Sequence, residues 1–282
     1  MSEPTTGDGR VGSTDGLQLS FRSWLPASER AVVLIVHGLC EHSGRYAHVA
    51  RHLAALRYAC YALDSRGHGR SPGQRAHVHR FADYLADVAA MRTHLRVAHP
   101  GTPLVLLGHS QGGLIALLAA LAEPAGLAAV IATSPFLGIH PASRPSAALA
   151  AAGRVLSRAV PQLRLPSNLD PTHLSRDPEV VAAYRSDPLV THKVSARWFT
   201  EVNAAFARAL ALAPALTVPT LVMQAGADRL VDPDATRRWV AAAPQHLVEY
   251  VEWEGFFHEI LNEPEKAQVL ARIETWLAAR LA

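Results

Sequence analysis

The sequence predicts an α/β fold in which a mostly parallel sheet is flanked by helices on both faces. Short apolar runs such as AVVLIV, at residues 31–36, have the length and the β-branched composition of strands buried on both faces. Segments of helical composition separate these runs, which implies parallel pairing through right-handed crossovers. Polar, glycine-bearing loops follow several of the runs, and ligands bind beyond the carboxyl ends of the strands in such sheets.

The predicted elements follow one another in a regular order along the first half of the chain. Leu17, Leu19 and Phe21 alternate with polar residues, which indicates a half-exposed early strand. The apolar runs and the helical segments between them then alternate. Strands are predicted at residues 31–36, 58–63, 104–107 and 128–132, and helices up to about residue 56, at 81–98 and from residue 113 to 120.

Residues 135–212, which we call the insertion segment, interrupt this alternation. They are rich in Pro, Ala and Arg, with predicted helices at 147–160, 178–184 and 194–212 and no clear strand. The segment is too long for a bare loop, so we expect a helical cap folded over the active-site edge. Strands at 218–224 and 246–253 and helices at 233–243 and 263–281 then resume the pattern. The predicted core therefore comprises residues 1–134 and 213–282.

Composition and charge exclude several classes of protein. Of the 282 residues, 49% are hydrophobic and 18% are charged, which is enough apolar material for a large core. The net charge of +3 comes from scattered residues, almost all arginine, and without a basic run we expect no nucleic-acid partner. The sequence does not indicate an oligomeric state.

The cysteines and the amino terminus indicate a compartment. Cys40 and Cys60 do not make a disulfide framework, and no spacing resembles a metal site, so we expect no metal and no cofactor. The first ten residues lack the basic-then-apolar pattern of a signal peptide, and no apolar stretch reaches the roughly 18 residues of a membrane span. A cytoplasmic protein is expected.

The stretch LVLLGHSQGG, residues 104–113, combines a strand, a G-x-S-x-G turn and the beginning of a helix. This is the context of a nucleophile elbow, in which two glycines allow a tight turn and the serine, here Ser110, stands at the carboxyl end of the strand. The helix amino terminus behind it supplies N–H groups and a partial positive charge. Read alone, the pattern also fits a glycine-rich turn with an incidental serine.

A serine nucleophile needs a base, and the base needs an orienting acid. Asp228 lies in the loop after the predicted strand at 218–224, and His258 lies in the loop after the last strand. Both follow Ser110 in the order serine, acid, histidine. Asp232, which precedes Pro233, is the better candidate for a helix cap.

Stabilising an oxyanion requires two N–H donors. Gln111, directly after Ser110, is expected to supply one backbone donor, and Leu39, in the loop after residues 31–36, the other. His37 and His109 flank the site and are expected to serve in packing or loop hydrogen bonds. Cys40 and Cys60 are expected to be buried or incidental thiols.

Five motifs together resemble the monoacylglycerol lipase and lysophospholipase family of α/β-hydrolases, of the serine aminopeptidase S33 type. The resemblance covers most of the chain outside the insertion segment. The motifs are HGLCEHSGRY at 37–46, DSRGHGRS at 64–71, GHSQGG at 108–113, GADRLVDP at 226–233 and HEILNEP at 258–264.

The resemblance implies roles for particular residues. Ser110 would be the nucleophile, His258 the general base and then acid, and Asp228 its orienter. Leu39 and Gln111 would supply the oxyanion N–H groups, and Glu41 and Arg45 would help to bind the glycerol end of the substrate. Two departures border the leaving-group side. Cys40 stands where the family usually has glycine or another small residue, and Gln111 stands where methionine is common.

The expected activity is the hydrolysis of monoacylglycerols, without a cofactor and through an acyl-enzyme. A lysophospholipase, a short-chain carboxylesterase, a serine aminopeptidase and an acyltransferase are the alternatives on the same scaffold, because a fold does not fix a reaction. A non-catalytic lipid-binding relative is an alternative from another class. The Ala, Leu and Val residues of the insertion segment suit an acyl tunnel or plain packing. Docking on lipid surfaces, with Arg154 and Arg158 at the interface, is a further hypothesis.

Overall fold

The computed structural model describes residues 3–281, so residues 1, 2 and 282 of the predicted core lie outside the described part. Strands and helices alternate along most of this chain. The strands are β1 (Thr5–Gly12), β2 (Gln18–Leu25), β3 (Ala31–Val36), β4 (Tyr58–Leu63), β5 (Leu104–His109), β6 (Ala129–Thr133), β7 (Arg164–Pro166), β8 (Lys193–Ser195), β9 (Thr220–Ala225) and β10 (Val248–Trp253). The α-helices are α1 (Ala47–Ala55), α2 (Phe81–Ala98), α3 (Gln111–Ala122), α4 (Ala147–Ala159), α5 (Pro178–Ser186), α6 (Ala196–Leu212), α7 (Pro233–Ala242) and α8 (Lys266–Ala278).

Eight of the strands form one sheet in the order β1-β2-β4-β3-β5-β6-β9-β10. The pairs β1–β2 and β2–β4 are antiparallel, and every later pair in this sheet is parallel. The strands β4, β3, β5, β6, β9 and β10 therefore end at one common edge. The prediction of a mostly parallel sheet flanked by helices is confirmed.

Both faces of the sheet are buried, which explains why its central strands are continuous apolar runs. Alternate residues of β3 enter different cores: Val32, Leu34 and Val36 pack in one cluster, and Val33 and Ile35 pack in the other. The first cluster includes residues of α2, α3, α6 and α7, and the second includes residues of α1 and α8. The apolar surface on both sides holds the sheet edge, and therefore the site, in place.

Two features of the strand pattern differ from the prediction. The polar segment Thr5–Gly12 forms β1, an edge strand that pairs with β2 along eight residue pairs. The expectation of no strand in the insertion segment is wrong, because β7 and β8 form a separate antiparallel pair of three residues each. Both strands of that pair are short, and β1 is mostly exposed, so neither shows the apolar alternation on which a sequence prediction depends.

The insertion segment contains the three predicted helices with small changes at their ends. The last of them, α6, packs on both α4 and α3, and α3 begins directly after Ser110. Trp198 of α6 donates from Nε1 to the Gln111 side-chain oxygen at 2.6 Å. The segment is thus joined to the helix that follows the serine.

A buried ion pair fastens the turn between β1 and β2 to the rest of the molecule. Arg66 donates to both carboxylate oxygens of Asp87 on α2, at 2.7 and 2.6 Å, and the two side chains are 9% and 2% exposed. Ser13 donates to the same carboxylate at 2.6 Å. The charges of Arg66 and Asp87 thus compensate each other inside the protein.

We expect Arg66→Met to lower the free energy of unfolding by about 3–5 kcal/mol, because it leaves the Asp87 charge buried without its partner. Urea denaturation measures this loss. The control is Arg70→Met, which removes an ion pair with Asp8 whose side chains are 51% and 64% exposed. That change should cost about 1 kcal/mol or less. Equal losses in the two variants would contradict the structural role of Arg66.

Candidate active site

Ser110 lies between β5 and α3 in a backbone conformation that side-chain-bearing residues rarely adopt, with φ 51° and ψ −117°. The neighbouring glycines permit this turn. A Cβ at Gly108 would lie 2.1 Å from the Gly112 carbonyl oxygen, and a Cβ at Gly112 would lie 2.0 Å from the Val36 oxygen. The close approach of β3, β5 and α3 thus requires both glycines and presents Ser110 to a cavity.

His258 and Asp228 meet across two loops that follow β10 and β9. The His258 Nδ1–H donates to Asp228 Oδ2 at 2.7 Å, and both side chains are almost fully buried. The other Asp228 oxygen accepts from the backbone N–H groups of Leu230 and Val231 at 2.9 and 3.0 Å. The Asp228 carboxylate is therefore fixed before it orients the imidazole.

The charges around His258 favour its protonated form. Burial alone would lower the pKa of this imidazole, but the Asp228 carboxylate, with Glu259 and Glu41 farther out, raises the pKa above its ordinary value. The His109 ring packs on His258 with centroids 4.8 Å apart. Burial, reinforced by His258, lowers the pKa of His109 to about 4, so His109 contributes a neutral ring to this contact.

The two residues predicted to donate to an oxyanion lie on either side of Ser110. Gln111 is the first residue of α3, and the first hydrogen bond of that helix runs from the Leu114 N–H to the Ser110 carbonyl at 3.1 Å. The Gln111 N–H consequently has no acceptor within the helix. Leu39 lines the cavity beside Ser110. The loop that carries Leu39 also has a left-handed residue at Cys40, with φ 67°.

Glu41, Arg45 and Glu259 form a buried charged network beside His258. Glu41 Oε1 accepts from the Gly38 N–H at 2.6 Å and from the Tyr46 hydroxyl at 2.7 Å. Arg45 donates to Glu41 Oε2 at 2.7 Å and bridges to both oxygens of Glu259. Burial acts to raise the pKa of Glu41, but Arg45, His109, His37 and the Tyr46 hydroxyl together outweigh it and the pKa falls to about 2.

Four of the seven predicted site residues line one cavity, and the other three, Asp228, Gln111 and Arg45, each adjoin one of those four without being among the described lining residues. Ser110, His258, Leu39 and Glu41 line one cavity of about 820 Å³, and Asp228 holds His258 from behind. Arg45 is not among the described residues that line it, because its guanidinium lies between Glu41 and Glu259. Most of the other lining side chains are apolar and come from the insertion segment. They include Ile139, Leu149, Leu156, Leu165, Val194 and Phe199.

Sequence reasoning missed the residues that hold the His258 loop. The backbone N–H groups of His258 and Glu259 donate to the carbonyls of His173 and Leu174, at 3.4 and 2.8 Å, in the insertion segment. The fully buried Glu263 carboxylate accepts from the Phe257 N–H and from the backbone and side chain of Arg176. Glu263 lies in the HEILNEP motif, which was the available signal.

His37 and His109, the two histidines that flank the site in the sequence, have hydrogen-bond partners, and both cysteines are buried. His37 accepts the Ser65 N–H at 3.0 Å, and His109 Nδ1 lies 3.0 Å from the Thr133 hydroxyl. Cys40 and Cys60 are buried free thiols. Within the part of the chain that the structure describes, no group of three or more His, Cys, Asp or Glu side chains is arranged to hold a metal ion.

Comparison with known proteins identifies the family. The family model Hydrolase_4, described as serine aminopeptidase, S33, matches residues 27–265. This chain belongs to the serine aminopeptidase S33 family. The match extends through both loops that carry Asp228 and His258 and confirms the resemblance inferred from the motifs.

Individual relatives match most or all of the chain. The monoacylglycerol lipase of Mycolicibacterium smegmatis is 35% identical, and the alignment covers 100% of both chains. Phospholipase YtpA of Bacillus subtilis is 34% identical over 88% of this chain and 95% of the relative. The crystal structure of the Paleococcus ferrophilus monoacylglycerol lipase superposes with a TM-score of 0.85, at 33% identity, covering 93% of this chain and 99% of that one.

Asp228→Asn is expected to lower the pKa of His258, because it removes the nearest negative charge that raises it. NMR titration of the imidazole measures this shift. The pKa of His258 is higher in the folded protein than in the unfolded one. The His258–Asp228 pair therefore stabilises the fold fully at pH values below the unfolded pKa, and this stabilisation is lost as pH rises through the folded pKa. Asp228→Asn should therefore lower the free energy of unfolding more at pH 5 than at pH 9.

The control for this titration is Asp232→Asn in the same loop. Asp232 caps α7 by accepting from the Asp234 N–H at 3.1 Å, as predicted, and binds Arg144 and Arg238 rather than His258. A His258 pKa that fell equally in both variants would contradict a specific role for Asp228.

Proposed function

We propose that this chain is a serine ester hydrolase that cleaves monoacylglycerols to a fatty acid and glycerol through an acyl-enzyme intermediate. One observation carries the proposal: Ser110, on a strained turn, and a His258 already bonded to Asp228 line the same largely apolar cavity. A nucleophile, an oriented base and room for an acyl chain are the parts that this reaction needs.

The proposed reaction uses each residue in turn. His258 takes the proton of the Ser110 hydroxyl, whose oxygen attacks the ester carbonyl, and the Gln111 and Leu39 N–H groups stabilise the oxyanion. His258 then gives the proton to the leaving glycerol oxygen. Water, activated by the same imidazole, attacks the acyl-enzyme and releases the fatty acid. Asp228 holds His258 in the reactive tautomer and stabilises its imidazolium during both acylation and deacylation.

Two kinds of side chain in the cavity wall suit the two parts of a monoacylglycerol. The apolar side chains of the insertion segment offer a surface for an acyl chain, and the carboxylates of Glu41 and Glu259 offer acceptors for the glycerol hydroxyls. The M. smegmatis relative, 35% identical over the whole chain, is named a monoacylglycerol lipase, which favours this substrate. We infer that Glu41 meets the glycerol and that Arg45 positions Glu41.

We further propose that the insertion segment is a cap on a core formed by residues 1–134 and 213–282. Its residues supply most of the apolar cavity wall, whereas Ser110, Asp228 and His258 all follow strands of the large sheet. The division matches the interruption of the strand and helix pattern between β6 and β9.

We expect Ser110→Ala to abolish turnover and to leave the fold intact, because it removes the nucleophilic oxygen and keeps the Cβ carbon. The measurement is a hydrolysis profile of both proteins on monoacylglycerols of graded chain length, a lysophospholipid, p-nitrophenyl esters and an aminoacyl amide. We expect a preference for medium or long monoacylglycerols that is lost by at least about 10³-fold in the variant. Circular dichroism checks the fold.

The same profile separates the alternatives. Substantial esterase activity in Ser110→Ala would overturn the nucleophile assignment. Cleavage of short activated esters alone would indicate a general carboxylesterase. Preference for the lysophospholipid would indicate a lysophospholipase. Cleavage of the amide would favour the aminopeptidase that the family is named for. No cleavage at all would favour a lipid-binding relative.

We also propose a cytoplasmic protein that touches lipid surfaces transiently. Among residues 3–281, no helix has both the length and the apolar composition to cross a bilayer. Four of the six exposed large apolar side chains in this range lie on α4 or just after it: Leu149, Val155, Val160 and Leu163. Arg154 and Arg158 are exposed on the same helix, so apolar and basic groups face solvent together.

The double change Val155→Ser with Val160→Ser should lower the partition coefficient onto vesicles of phosphatidylcholine and phosphatidylglycerol by about tenfold, because it removes two exposed aliphatic side chains. Co-sedimentation measures the bound fraction. The control is Val97→Ser, which removes a side chain that is 79% exposed at the end of α2. Equal vesicle binding by the wild type, the double variant and Val97→Ser would contradict the proposed membrane contact.

A further inference from the structure

We propose that Glu259 makes the alcohol end of the cavity selective against headgroups that carry a net negative charge. This inference rests on the proposed function and deepens it, because it specifies which single-acyl esters the site accepts. It concerns a residue that the sequence analysis did not single out.

The position of the alcohol follows from the proton transfer. His258 has to deliver a proton to the leaving oxygen, so the departing alcohol lies against the imidazole. Glu259 is the next residue and lines the same cavity, as do Glu41, Leu174 and Tyr184. The headgroup therefore occupies the part of the cavity in which these carboxylates lie.

The carboxylates at this end outnumber the cations. Glu41 and Glu259 share one guanidinium, that of Arg45, which donates to Glu41 Oε2 and to both oxygens of Glu259. Arg45 also lies under the Tyr184 ring, with its guanidinium carbon 4.9 Å from the centroid, and its side chain is 10% exposed. The positive charge is thus behind the carboxylates and the negative charge is at the cavity wall.

Arg144 is the one Arg or Lys among the described residues that line the cavity, and it is engaged elsewhere. Arg144 lies in the loop before α4, where it donates to the Ile139 carbonyl at 3.0 Å and to Asp232 at 2.8 Å. Neither partner belongs to the carboxylate end. Among the described lining residues, none at the Glu259 end carries a positive side chain apart from His258 when it is protonated.

This arrangement separates headgroups by charge and by hydrogen bonding. Carboxylate oxygens accept hydrogen bonds, and glycerol hydroxyls can donate them, whereas an ionised phosphodiester has no proton to donate. A phosphodiester also meets two carboxylates that share one guanidinium and so keep a net negative charge, in a buried place where water screens it poorly. Neutral headgroups should therefore bind well, and anionic ones should be rejected.

Binding to Ser110→Ala tests the inference without turnover. The probes are monodecanoylglycerol and decanoyl lysophosphatidylglycerol, below their micellar concentrations, measured by calorimetry. We expect the Ser110→Ala protein to bind the neutral lipid at least about tenfold more tightly than the anionic one. Adding Glu259→Gln should lower the ratio of neutral-lipid affinity to anionic-lipid affinity about tenfold, because it removes one negative charge and keeps the shape of the side chain.

The control is Glu254→Gln in the same background. Glu254 is exposed in the loop before His258 and does not line the cavity, so the change alters net charge equally and should leave the affinity ratio as it was. Equal affinity for the two lipids in Ser110→Ala, or a ratio unmoved by Glu259→Gln, would overturn the inference. Failure of the wild type to hydrolyse a monoacylglycerol that Ser110→Ala binds selectively would instead contradict only the proposed function.

Discussion

The geometry of the site depends on one close backbone contact, that between the Gly112 position of α3 and the Val36 carbonyl of β3. There is no space for a side chain between them, and the same is true between Gly108 and Gly112. This contact fixes Ser110 relative to the loop that follows β3, where Leu39 and Glu41 lie. The buried faces of the sheet supply the stability that keeps Ser110 in an unfavourable backbone conformation.

The charged groups near the serine are held by protein rather than by water. Asp228 receives two backbone N–H groups and the imidazole, and Glu41 receives the Gly38 N–H, the Tyr46 hydroxyl and Arg45. Buried charges are costly unless such partners satisfy them. Asp228 joins its own loop to His258, and Arg45 joins the segment of Glu41 to Glu259, so these contacts also fix the position of the loops that meet at the sheet edge.

The sequence predicted the sheet, the order of its helices and the residues that follow its strands, because buried parallel strands and a nucleophile turn have strong local patterns. It did not predict β1, whose residues are mostly exposed and lack apolar alternation, or the β7–β8 pair, whose strands are three residues long. The role of Glu263 was missed for a different reason. Its partners, Phe257 and Arg176, are separated from each other by 81 positions, and only the folded chain brings their N–H groups to one carboxylate.

Hydrogen bonds attach residues 173–176 of the insertion segment to the His258 loop. A movement that carried residues 173–176 outward would break the bonds to His258 and Glu259 and displace the imidazole with them. Among the helices and strands, α4 packs mainly on α6, and the backbone hydrogen bonds that hold the His258 loop to the insertion segment come from residues 173 and 174. Changes in α4 can therefore evolve without direct loss of the bonds that hold the imidazole.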